Sequence, residues 1–263
     1  MSMTVSPGSM TSPTSPAGAR ARGGVARWFS TFAAVLMLAC VMVGFERFYL
    51  HGRSFPDREV TAPIRGLVIT HGVVMMLWIL LFIAQPVLAA TRNLRVHMAA
   101  GKFGVVLAGA VLVLGLMIGV QSARFTPPDA FIMGFTPAQF MAVPVLSVVF
   151  FAVMVGAGVW QRKKPGAHRA LMLGATLGVI SAALNRIPAL NDLSMGTVWD
   201  RVFGPFFAAV VLGVVLLAVR CVLIRSLDRW LAVSVLAVTV WSAVIVVVAK
   251  SGPWGALAAA VVG

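Results

Sequence analysis

Residues 66–90, GLVITHGVVMMLWILLFIAQPVLAA, run from Gly66 to Ala90 with a single ionisable side chain, His71. At 1.5 Å of rise per residue a helix of this length covers about 37 Å, enough to cross a hydrocarbon core of about 30 Å. In water such a segment would have no polar face to present. In a bilayer a helix satisfies every backbone polar group internally, which is the condition for crossing. The remainder of the chain repeats the pattern, with apolar runs at about 28–48, 99–120, 139–160, 166–186, 202–222 and 230–249. The expected fold is therefore all-α: a polytopic membrane helix bundle of about seven transmembrane helices.

Composition agrees. Of 263 residues, 60% are hydrophobic and 11% charged, far from the proportions of a water-soluble domain. The formal charge of +14 raises nucleic acid as a partner. However, the basic residues are scattered between apolar runs, and no basic patch interleaved with aromatics appears, so the lipid bilayer is the expected partner and nucleic acid is not. Cys40 and Cys221 lie far apart in apolar runs and read as packing residues. Met37-Leu38-Ala39-Cys40 faintly resembles a lipoprotein cleavage box, but the apolar run continues through Phe45, so a retained helix is expected.

Residues 1–27 are rich in Ser, Thr, Pro and Gly and read as a disordered tail, residues 28–250 as the transmembrane domain, and residues 251–263 as a C-terminal tail too short to span. Assigning alternate loops to opposite sides places thirteen of the 21 basic residues with the N-terminus and eight on the other side. The positive-inside rule then predicts a cytoplasmic N-terminus and an outer C-terminus. The fifth run is diluted by Gly174, Thr176, Gly178, Ser181 and Asn185. Small residues at helical spacing let backbones approach closely, which predicts a central position for this helix.

No hydrolytic motif, paired carboxylates or phosphate loop is present. Four histidines remain. His97 opens the third run and His168 the fifth, each just after a basic loop, so both are expected at the inner interface, close enough to share an iron. His71 lies about 9 Å into the second run from its outer end, and His51 falls in the first outer loop. Ionisable residues inside membrane helices are functional candidates, and imidazole ligates metals and haem iron. A plain reading stands beside this, since interfacial histidines also hydrogen-bond water, headgroups and backbone carbonyls. The hairpins around His97 and His168 form a faint repeat offset by 71 residues, which carries His71 onto Ala142, beside Met141. Near the outer interface, Glu46, Asn185 and Arg186 join His71 as a candidate polar cluster for an anion, a haem propionate or a quinone. Snorkelling of Arg186 to the headgroups is the alternative.

Thr70-His71-Gly72, then Leu94-Arg95-Val96-His97 with Gly101 and Gly104, then Ala167-His168-Arg169-Ala170-Leu171-Met172 with Asn185-Arg186 together resemble a widespread family of uncharacterised bacterial polytopic membrane proteins, over roughly residues 64–220. That family is distantly similar to the transmembrane di-haem b-type cytochromes, which hold haem between histidine pairs and pass electrons across membranes. The resemblance implies a multi-pass protein of the bacterial inner (plasma) membrane, haem b as cofactor at His71, His97 and His168, electron transfer, and a quinone or other redox partner. A transporter or channel subunit and a non-catalytic assembly protein are the rival expectations.

Overall fold

The computed structural model describes residues 16–54, 58–60 and 62–262. In chain order the helices are α1 (Pro16–Gly44), α2 (Glu46–His51), α3 (Arg65–Ala90), α4 (Leu94–Phe125), α5 (Pro137–Phe140), α6 (Ala142–Trp160), α7 (Pro165–Leu184), α8 (Pro188–Asn191), α9 (Val198–Phe203), α10 (Phe207–Ile224), α11 (Arg229–Ala249) and α12 (Gly252–Val262). Between α2 and α3, β1 (Arg53–Ser54) pairs antiparallel with β2 (Arg58–Glu59). Seven helical stretches are long and apolar enough to cross a membrane, and the protein is a multi-pass, all-α bundle.

The α3–α4 and α6–α7 hairpins pack together through α4 and α6. Helix α1 packs on α3, α7 and α10, and α10 and α11 both pack on α7 and on each other. Helix α7 is the most deeply buried span, as its small residues predict. A Cβ on Gly178 would stand 2.6 Å from Phe150 Cδ1, and one on Gly174 would collide with Ser234 Oγ. Ser234 Oγ instead donates to Ala170 O at 2.8 Å, tying α11 to α7. At mid-depth, Trp78 of α3 donates from Nε1 to Thr176 Oγ1 of α7 (3.3 Å) and meets Phe151 of α6 edge-on, ring centres 4.7 Å apart.

Two segments differ from expectation at the chain ends. Helix α1 begins at Pro16, inside the stretch read as a tail; proline suits the first helical position, and the Ala- and Arg-containing residues after it carry the helix into the apolar run. Residues 1–15 lie outside the described residues. The C-terminal segment forms α12, which folds back on the bundle. Trp254 Nε1 donates to Ala138 O (3.0 Å) and Arg124 to Val261 O, so an apolar stretch too short to span is held against α5 and α4.

Candidate functional site

The α3–α4 turn and the α6–α7 turn lie at the same end of the bundle. Arg92, with φ 62°, turns the chain between α3 and α4, and Asn93 caps α4 by accepting from Val96 N at 3.4 Å. This fixes His97 on the first turn of α4. Its Nδ1 lies 3.2 Å from Gln85 O, one helix back on α3. In the second hairpin a 3-10 turn (Gln161–Lys163) and Pro165 at the start of α7 place His168 equivalently. Its Nδ1 lies 2.9 Å from Gly158 O on α6. Gly158 also allows the close approach, since a Cβ there would stand 2.6 Å from Met172 Cε.

A carbonyl oxygen can only accept, so each Nδ1 bears a proton, and in the neutral ring Nε2 is the nitrogen left with a free lone pair. Metal-binding histidines are oriented in this way, with the non-ligating N–H held by a carbonyl. The two half-buried rings face each other with centres 6.3 Å apart and planes at 83°. The expected pairing of His97 with His168 is thus present, and each ring is anchored within its own hairpin.

Two further groups at this end were not singled out from the sequence. Gln85 Nε2 donates to His97 O at 3.3 Å, while its Oε1 is buried without a partner. Asp228 caps α11 by accepting from Leu231 N through Oδ1 (3.2 Å). Its Oδ2 receives both Arg169 Nη2 (3.1 Å) and Arg220 Nε (3.2 Å). Arg220 in turn donates to Ala26 O of α1 at 2.7 Å and lies over the Phe29 ring. One carboxylate therefore joins α1, α7, α10 and α11 beside His168, and leaves one net positive charge. A polar residue directly before Pro86 and a single acid among thirteen basic residues were the available signals.

At the opposite end the candidate residues make separate contacts. His71 shares a face of α3 with Trp78 and Gln85, at seven-residue spacing, which turns it towards the bundle. It is half-buried, and its Nδ1 is buried with no partner. Asn185 is buried and donates from Nδ2 to Pro205 O. Arg186 donates to Ala182 O and stacks on Phe45, with Cζ 4.5 Å from the ring centre. Glu46 is exposed and lines a cleft with Arg47, His51 and Arg53. Among the described residues none of the three hydrogen-bonds His71. Met141 is packed in a separate apolar cluster with Phe135, Phe206 and Trp254.

These placements define a multi-pass helical membrane protein with a paired-histidine site at its basic end. No family model, curated protein or solved structure matches the chain.

Proposed function

We propose that the protein is a redox carrier of the bacterial plasma membrane that holds haem b between His97 and His168, on the cytoplasmic side. The observation that carries this reading is the spacing of the two rings. Nitrogens about 2 Å from a shared metal put each ring centre about 3 Å from it, so trans ligands have centres about 6 Å apart and tetrahedral ligands about 5 Å. The 6.3 Å between the His97 and His168 ring centres matches the first of these spacings. Among the described residues no group of three or more His, Cys, Asp or Glu side chains converges. His97 and His168 would together suit a metal whose remaining positions are filled by a macrocycle.

When bound, haem would supply one-electron chemistry. The chain's own residues supply the rest: Gln85 O and Gly158 O orient the two imidazoles, and Gly101 leaves room beside His97, since a Cβ there would meet only Gln85 Nε2, at 3.9 Å. Arg169, one residue beyond His168 and sharing Asp228 with Arg220, adds a cation suited to a propionate. The test is a visible spectrum of detergent-purified protein before and after dithionite. Sharp reduced bands that vanish in both His97→Ala and His168→Ala are expected. A purified, folded protein without a chromophore, and with no uptake of added haem, would favour a transporter or an assembly protein instead.

A further inference from the structure

The two histidine anchors are alike in their backbone carbonyls and differ in one side chain. His168 is held by Gly158, which has none, whereas His97 is held by Gln85, which grips it twice: the backbone oxygen faces Nδ1 at 3.2 Å and the side-chain Nε2 donates to His97 O at 3.3 Å. The second bond is not needed to satisfy that carbonyl, because an interior helical C=O already accepts from the amide four residues on. The carboxamide is costly where it stands, since Oε1 is buried with no donor. A residue serving only to fill the end of an apolar helix would be leucine or methionine. What the carboxamide adds is a cross-brace between the end of α3 and the first turn of α4, the two pieces of backbone that determine where the His97 ring lies.

We propose that Gln85 is a positioning residue that fixes the tautomer and orientation of His97. This deepens the haem reading and rests on it for its purpose, but the brace itself is a property of the polypeptide. The decisive measurement is therefore nitrogen-15 NMR of the histidine side chains in the full chain in detergent micelles, without haem. In the wild type, His97 and His168 should each show one tautomer, with Nδ1 protonated and Nε2 bare. In Gln85→Ala, His97 should lose that signature and become a mixture, while His168 keeps it. Gln85→Glu preserves size and shape but cannot donate to His97 O at neutral pH, so it should match the alanine variant at His97 and also serves if the cavity left by alanine prevents folding.

Haem titration of the same proteins supplies a second readout, with binding weakened about 10- to 100-fold in both variants, the usual effect of losing a ligand's supporting partner. Three results overturn the proposal: a mixed His97 tautomer in the wild type, a His97 signal in the variants identical to wild type, or His97 and His168 changing together with a fall in Tm, which marks a merely structural residue. If the wild type shows the tautomer pattern and its dependence on Gln85 but takes up no haem, the haem assignment fails and the positioning role stands.

Discussion

Replacing Asp228 with alanine removes one carboxylate and its three side-chain interactions: the cap on α11 and the pairs with Arg169 and Arg220. The side chain is only 10% exposed, as is that of Arg220, while Arg169 is 38% exposed. Deleting one member of a buried ion pair typically costs about 3–5 kcal/mol, because the remaining charge is left without compensation. Arg169 can turn towards the headgroups and recover part of its share. Arg220 is held between Ala26 O and Phe29 and cannot do so as readily. Loss of the α11 cap adds about 1 kcal/mol. A net cost of about 3 kcal/mol corresponds to a fall in Tm of about 6–12 °C for a chain of this size. Cys40 and Cys221 are half-buried and free, so a thiol-reactive dye that reports their exposure on heating is a suitable assay. Asp228→Asn keeps the Oδ1 acceptor for Leu231 N and should lose less than the alanine variant. A Tm for Asp228→Ala within about 2 °C of wild type would refute the claim that this carboxylate holds the basic end together.

Other outcomes follow from the same packing. Gly158→Ala should cost about 1–2 kcal/mol by overpacking, because the new methyl meets the flexible end of Met172; Gly158→Ala/Met172→Ala should recover part of this in the same melting assay. Gly44→Ala should be worse than Gly158→Ala, since its Cβ would run into the Ala183 backbone, which cannot swing aside. His71→Leu removes a buried nitrogen that makes no bond, so Tm should stay level or rise by the equivalent of about 1 kcal/mol; a clear fall in Tm would show that His71 has a partner. Reporter fusions at residues 5 and 263 should read cytoplasmic and external respectively, and a cytoplasmic reading at both ends would contradict the charge asymmetry.

The seven spans were legible because a hydrocarbon core imposes a minimum length that few other structures require. The central place of α7 was legible from Gly174 and Gly178, whose hydrogens face Ser234, Met154 and Phe150. The pairing of His97 with His168 followed from depth, since both stand one turn inside helices that start at the same face. Helix ends were less predictable: Leu94–Phe125 extends beyond the apolar stretch 99–120 at both ends, because polar flanks continue a helix once it leaves the hydrocarbon. The outer polar group was the least legible. Asn185 and Arg186 follow the last residue of α7, where helical periodicity no longer fixes side-chain direction, and they diverge to Pro205 and Phe45. The roles of Gln85 and Asp228 are not legible in the sequence, because they depend on carbonyls and guanidiniums brought in from other helices, which composition and spacing do not reveal.

The central claim is that His97 and His168 together ligate one iron, with their rings near perpendicular. Low-temperature electron paramagnetic resonance of the oxidised, haem-loaded protein reads both properties in one spectrum. Trans imidazoles at 83° should give a strongly anisotropic low-spin ferric signal, replaced by a high-spin signal in His97→Ala and in His168→Ala. A wild-type spectrum that is already high-spin, or a low-spin signal that persists in either variant, would show that these two histidines are not the axial pair.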